Sequence, residues 1–187
     1  MTFEELGVSE PLRKAVEELG FETPMPVQER VIPHLLNEDG DVVALAQTGT
    51  GKTAAFGLPV LQRLDPALDK PQALILSPTR ELCLQIASDL ADFSKYMPDI
   101  KVIPVYGGSS IQSQIRALKS GAQVIVATPG RLIDLINRGV VKLDDVHTVI
   151  LDEADEMLNM GFLDSINEIL DHVPENRKML MFSATMP

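Results

Sequence analysis

The stretch that most constrains the fold is Ala46 to Thr53, read as Ala-Gln-Thr-Gly-Thr-Gly-Lys-Thr. An apolar run, Asp41-Val42-Val43-Ala44-Leu45, precedes it, and a helix-like segment from Ala54 to Leu64 follows. A strand, a glycine loop ending in Gly-Lys-Thr and a helix together form the context that a phosphate-binding P-loop requires. Gly49 and Gly51 allow backbone amides to turn inward around an anion. The helix opening near Lys52 adds unpaired amides and the positive end of its dipole. In such a loop Lys52 reaches the outer phosphates, and the Thr53 hydroxyl can ligate Mg²⁺. Ala46 departs from the general pattern, which has its first glycine there.

From Asp41 onward the pattern alternates between strands and helices. Strands are expected over Val42–Ala46, Ala73–Leu76, Lys101–Tyr106, Val124–Ala127, Thr148–Leu151 and Met179–Phe182. Helices are expected after the P-loop and over Arg80–Tyr96, Ser110–Leu118, Glu153–Leu158 and Leu163–His172, with a short one starting at Thr128–Arg131. Uninterrupted Val, Ile and Leu runs separated by helices predict an α/β fold with a mostly parallel central sheet and helices on both faces. The polar motifs sit where strands end: after Ala46, Leu76, Tyr106, Ala127, Leu151 and Phe182. Open α/β sheets bind ligands outside the carboxyl ends of their strands, so these motifs should converge on one edge.

Residues 1–40 read as a helical preamble. Ser9-Glu10-Pro11 predicts an N-cap and a first-turn proline. Leu12, Val16 and Leu19 follow at helical spacing until Gly20. Thr23-Pro24-Met25-Pro26 is a rigid connection to a second helix, Val27–Leu36, whose Val31, Ile32 and Leu35 face the core. A length of 187 residues suits one domain with a full core, and 45% hydrophobic with 23% charged residues excludes a disordered chain. The single Cys83 excludes an internal disulfide framework and reads as a small buried residue on a helix. His34, His147 and His172 lack metal-ligand spacing and read as surface or loop residues. Neither a secretory signal nor an apolar membrane span is legible, so a cytoplasmic location is expected. The net charge of −11 weighs against nucleic acid only weakly, since a local basic face survives any global sum.

A phosphate cradle alone binds; hydrolysis needs more. Asp152-Glu153-Ala154-Asp155 closes an apolar strand. A carboxylate at Asp152 can hold Mg²⁺, usually through water, opposite Thr53. Glu153 is placed to orient and deprotonate an attacking water. Asp155 falls in the first helical turn, where the dipole favours a carboxylate.

With that tetrapeptide the chain resembles the N-terminal RecA-like domain of DEAD-box ATP-dependent RNA helicases. The resemblance extends over essentially the whole chain. Its ordered matches are Gly20-Phe21, Pro24 and Gln28; Ala46 to Thr53; Pro78-Thr79-Arg80-Glu81-Leu82; Gly107-Gly108; Thr128-Pro129-Gly130-Arg131; Asp152 to Asp155; Gly161-Phe162; and Ser183-Ala184-Thr185. Alanine at the first P-loop position is usual in that family, so Ala46 becomes support.

The resemblance implies a RecA-like P-loop domain over residues 1–187, with an adenine-recognition segment over residues 1–40. It implies ATP and Mg²⁺ as cofactors. Gln28 looks like the family's adenine reader, since a carboxamide gives and takes a hydrogen bond on the adenine edge. Phe3 resembles the aromatic that stacks on the base. Gln47, Thr48, Gly49, Thr50, Gly51, Lys52 and Thr53 map onto the phosphate cradle. Lys52, Asp152 and Glu153 carry catalysis, and Thr53 and Asp152 hold the metal. Ser183 and Thr185 resemble the motif that couples hydrolysis to strand separation, through hydrogen bonds to Asp155. Pro78, Thr79, Arg80, Gly107, Gly108, Thr128, Gly130 and Arg131 look like RNA-facing loops, whose guanidinium groups, hydroxyls and freed amides suit sugar-phosphate contact without sequence preference. Met25 departs, standing where the family usually has Ser or Thr. That hydroxyl normally ties this segment to the P-loop.

Family members carry a second RecA-like domain that supplies arginines to the transferring phosphate, and nothing here matches it. The resemblance therefore predicts a monomeric domain that binds ATP or ADP, hydrolyses ATP weakly and does not unwind RNA alone. A nucleotide-binding interaction module, or a P-loop ATPase acting on DNA or protein, would share the cradle. RNA-versus-DNA stimulation separates the last of these.

Overall fold

The computed structural model describes residues 1–38, 40–46 and 51–184. Six strands form one sheet: β1 (Val42–Leu45), β2 (Ala73–Leu76), β3 (Val102–Val105), β4 (Val124–Ala127), β5 (Thr148–Leu151) and β6 (Lys178–Ser183). Their order is β1-β6-β5-β2-β4-β3, and every paired neighbour runs parallel. All six strands therefore release their carboxyl ends on the same edge, as the motif positions predicted. The central strands β2, β4 and β5 are buried at every position, which is why they read as unbroken Val, Ile and Leu. Edge strand β1 alternates instead, with Val43 and Leu45 exposed on one face.

Among the described residues, eight helices divide between the faces. One core packs α1 (Glu10–Glu18), α2 (Pro26–Asn37), α3 (Lys52–Gln62) and α4 (Arg80–Phe93) on Ala73, Ile75, Val124, Val126, Ile150, Leu180 and Phe182. The other packs α5 (Ile111–Lys119), α6 (Pro129–Asn137), α7 (Ala154–Asn159) and α8 (Leu163–Leu170) on the alternate residues Leu74, Leu76, Ile125, Ala127, Val149 and Leu151. This is the period-two alternation of strand side chains applied to a sheet buried on both sides.

Element boundaries depart by small shifts from those expected. The helix from Arg80 stops at Phe93 rather than Tyr96, and the last strand starts at Lys178 rather than Met179. Ser9 occupies the N-cap position of α1, yet its side chain makes no capping bond. Its backbone amide instead donates to Gln62 Oε1 at 2.9 Å, while Gln62 Nε2 donates to the Gly7 carbonyl at 2.8 Å. The preamble is thereby tied to the far end of the P-loop helix.

α3 packs on α4 at Gly57. A Cβ there would lie 2.6 Å from Leu90 Cδ2, so a larger residue would have to displace the buried Leu90 side chain. Below α3 the Phe56 and Phe182 rings are fully buried with centroids 5.5 Å apart. Truncating Phe182 to alanine removes that contact and costs about 3–5 kcal/mol by the usual large-to-small penalty. Cys83 is buried on α4, its thiol directed at the Val126 carbonyl at 3.2 Å. Burial pushes its pKa up to about 12, so it is the inert structural cysteine the sequence suggested. Among the described residues no helix is long and apolar enough to cross a membrane.

Candidate nucleotide and nucleic-acid site

At the carboxyl edge, β6 lies between β1 and β5. The P-loop follows β1 and the acidic tetrapeptide follows β5, so the two halves face each other across the end of β6. Gln47, Thr48, Gly49 and Thr50 lie outside the described residues, as does Thr185. Gly51 opens α3 with φ of 98°, a left-handed N-cap that a side chain would strain. Lys52 follows and is buried, with its Nζ 2.8 Å from Asp152 Oδ1.

Asp152 is fully buried. Burial pushes its carboxyl above the usual range, against the pull of the Lys52 ammonium and of the Glu153 amide, which donates to Oδ1 at 3.0 Å. Its Oδ2 has no hydrogen-bond partner among the described residues. A buried carboxylate oxygen left this way is costly unless a cation or its waters reach it. That orphaned oxygen fits Mg²⁺ held through water. Thr53 follows in the first turn of α3 and lines a cavity with Lys52, Asp89 and Glu153.

Glu153 is the only non-glycine among the described residues with positive φ, at 52°. Left-handed backbone at such a residue costs roughly 1–2 kcal/mol, and strain of this kind concentrates at functional sites. Burial raises its pKa, with Lys52 pulling down and Asp152 pushing up. A carboxylate made more basic beside a phosphate cradle suits proton abstraction from water.

Ser183 ends β6 and connects the halves. Its carbonyl accepts from the Ala46 amide at 3.0 Å, and its hydroxyl accepts from the Asp155 backbone amide at 3.2 Å. The expected Ser183–Asp155 link is thus present, but through the Asp155 main chain.

A pocket of about 290 Å³ lies beside Gly51, lined by Phe21, Thr23, Met25 and Gln28 among others. Gln28 is buried; its Oε1 accepts from the Met25 amide at 2.9 Å and its Nε2 donates to the Gly51 carbonyl at 3.1 Å. One N–H of that carboxamide remains for a ligand. Phe3 does not line this pocket. It is only 6% exposed and packs in the core with Leu6, Val8 and Leu12. Phe21 lines this pocket, its ring edge-on to Phe93 with centroids 6.1 Å apart, and Phe3 lines an adjoining cavity with Phe21 and Glu22. Sequence reasoning quoted Phe21 without giving it a role, because apolar spacing cannot tell a pocket wall from a core residue.

The remaining motifs gather at the other end of the carboxyl edge. Thr79 caps α4 by accepting from the Leu82 amide at 3.2 Å. Arg80 is exposed, donates to the Gly108 carbonyl at 3.3 Å and lies 5.1 Å from the Tyr106 ring centroid. Arg131 donates to the Ser109 carbonyl at 3.1 Å and to Gln114 Oε1 at 3.0 Å. Gly107, Gly108 and Gly130 are exposed, Thr128 is half-buried and Pro78 is buried. Buried Gln114, which sequence reasoning missed, holds this cluster by bonding both the amide and the carbonyl of Tyr106. A polar residue on an amphipathic helix gives no signal of that role before its partners are known.

The histidines are unremarkable: His34 pairs with Glu38, His147 is half-buried against Thr148, and His172 is exposed. No group of residues able to hold a metal through His, Cys, Asp and Glu clusters occurs among the described residues.

A sequence profile of the DEAD/DEAH box helicases matches residues 25–187. The chain is 51% identical over 187 residues to the ATP-dependent RNA helicase DeaD of Haemophilus influenzae, covering all of this chain and 30% of that protein. It is 53% identical over 186 residues to the DEAD-box ATP-dependent RNA helicase CshA of Geobacillus kaustophilus, covering 39% of it. The chain thus spans about a third of the length of these curated relatives. Its fold matches the crystal structure of a DEAD box protein from Methanococcus jannaschii with a TM-score of 0.91 at 43% identity, over all of this chain and 51% of that one.

Proposed function

The chain belongs to the DEAD/DEAH box helicase family, and from that premise we propose that it is the nucleotide-binding domain of an ATP-dependent RNA helicase. The observation that carries this reading is the buried Lys52–Asp152 pair, with Asp152 Oδ2 left open beside the P-loop helix. Lys52 pairs with Asp152 and would transfer to the outer phosphates once ATP arrives. Asp152 and Thr53 would hold Mg²⁺, Asp152 through water. The chemistry supplied by Mg²⁺ there is neutralisation of the phosphate oxygens.

Gln28 would read the adenine edge with its remaining N–H, and Phe21 would face the base in place of Phe3. Gln47, Thr48, Gly49 and Thr50 would complete the cradle. Glu153 would take a proton from the attacking water. Ser183, with Thr185, would relay the state of the phosphate site to the loops bearing Arg80 and Arg131. Those loops would grip an RNA backbone through Thr79, Arg80, Gly107, Gly108, Thr128, Gly130 and Arg131, with 2′-hydroxyl contacts favouring RNA over DNA.

In the whole protein a second RecA-like domain would close on the nucleotide and supply arginines worth roughly 10³–10⁵ in rate. The 187-residue chain by itself would bind nucleotide as a monomer in the cytoplasm, turn over ATP weakly and leave duplexes intact. The test is to assay it for nucleotide binding and RNA unwinding. Binding without unwinding is expected; robust RNA-stimulated unwinding would overturn the two-domain reading. Gln28→Ala should weaken adenine nucleotides more than guanine nucleotides, and equal loss would remove the adenine role.

A further inference from the structure

We propose that Met25 is an oxidation site that controls occupancy of the nucleotide pocket, an inference that rests on the nucleotide reading above. Its side chain does two things at once. It lines the pocket shared with Phe21 and Gln28, and its sulfur packs on Gly51 at the start of the P-loop helix. A Cβ placed on Gly51 would lie 2.5 Å from the Met25 sulfur, so the thioether occupies the space that glycine vacates. The residue is also 40% exposed, within reach of small oxidants.

The other described sulfurs are differently placed. Cys83 and Met157 are fully buried, and Met97, Met179 and Met181 are half-buried against the two cores. Met1 and Met160 are exposed, at 67% and 49%, but neither lines this pocket. Among the described residues, Met25 is the one exposed methionine whose sulfur also packs on Gly51.

The chemistry is a two-electron oxygen transfer from a hydroperoxide. The sulfur lone pair attacks the terminal peroxide oxygen, an S–O bond forms, and the O–O bond breaks. With hydrogen peroxide the leaving group departs as water, and the thioether becomes a sulfoxide. The product has a strong acceptor where an apolar sulfur stood. Toward Gly51 there is no space for the added oxygen. Against the same Gly51 lies the Gln28 carboxamide, whose Nε2 donates to the Gly51 carbonyl at 3.1 Å. A sulfoxide oxygen competes for that donor, parting the base-reading segment from the cradle. The Met25 amide, bonded to Gln28 Oε1 at 2.9 Å, moves with it. Sulfoxide reductases acting on the two sulfoxide epimers reverse the change.

The experiment uses the 187-residue protein, hydrogen peroxide and a fluorescent ADP analogue, with peptide mass spectrometry reporting oxygen addition at each methionine. Affinity should fall about tenfold, a 1.4 kcal/mol change, in step with Met25 sulfoxide and return on reductase treatment. Met25→Leu, whatever its starting affinity, should show no further loss after peroxide, whereas Met160→Leu should lose affinity as the wild type does. Reversal by reductase in the wild type keeps the test decisive if Met25→Leu fails to fold. The proposal is overturned if Met25 resists peroxide that oxidises Met160, if Met25 sulfoxide leaves affinity unchanged, or if folded Met25→Leu loses affinity equally. Absence of nucleotide binding before peroxide would instead overturn the nucleotide reading, and this proposal with it.

Discussion

The two ends of the carboxyl edge hold their charges by opposite means. At the nucleotide end, Lys52 and Asp152 are buried and satisfy each other directly at 2.8 Å. At the other end, Arg80 and Arg131 stay in or near solvent and are steadied by loop carbonyls and by Gln114. Burial makes each charge at the first end expensive alone and strongly coupled to its partner. Exposure makes each arginine at the second end cheap to hold and free to meet a phosphate. One end is built as a switch with few states, the other as a surface of graded grip.

That contrast is broken most severely at Lys52. Lys52→Met leaves Asp152 buried without its cation, and the cost should approach 3 kcal/mol in urea unfolding, with nucleotide binding lost. A loss below about 0.5 kcal/mol would mean that the pair is no tighter than a surface ion pair. Gln114→Ala strips the Tyr106 backbone and Arg131 of bonds in a buried setting and should cost about 2 kcal/mol. Arg131→Ala should cost less in stability but lower the salt slope of RNA binding by about one phosphate contact, uniformly across sequences.

Glu153→Gly sharpens the comparison from the other side. It relieves the left-handed backbone and should stabilise the fold by about 1 kcal/mol while removing the proposed base. A stabilised protein with unchanged ATP turnover would clear Glu153 of that role. The smallest effect is in pH. Burial raises the Asp152 pKa above its ordinary value of 3.8, so its charge opposes folding at neutral pH. That opposition fades as pH falls through the raised value and is gone below 3.8. Acidification from about pH 7 to about pH 4 should therefore cost the wild type less stability than Asp152→Asn, as read by urea midpoints.

Much of the fold is legible residue by residue. The runs Ala73–Leu76, Val124–Ala127 and Thr148–Leu151 are strands at the expected bounds, because a buried parallel strand must be apolar at every position. Helix ends are less legible. At Ser9 and at Tyr96, whose hydroxyl pairs with Glu18, tertiary partners outcompete the local signal. Within the site, the sequence singles out Lys52, Asp152 and Glu153 by loop chemistry and a strand end, and Ser183 by the family resemblance.

The chain's own order of strands, glycine loop and acidic turn determines a parallel α/β sheet with its polar motifs at one edge. Sequence also marks a phosphate-binding pattern, since Gly-Lys-Thr before a helix and a carboxylate after a strand require particular residues at particular spacings. Tertiary structure decides which residues meet. It sends Phe3 into the core and brings Phe21 to the pocket. It joins the two site halves through β6 and places the Met25 sulfur on Gly51. Those outcomes depend on strand order and on close approach between distant segments, and neither quantity is periodic along the chain.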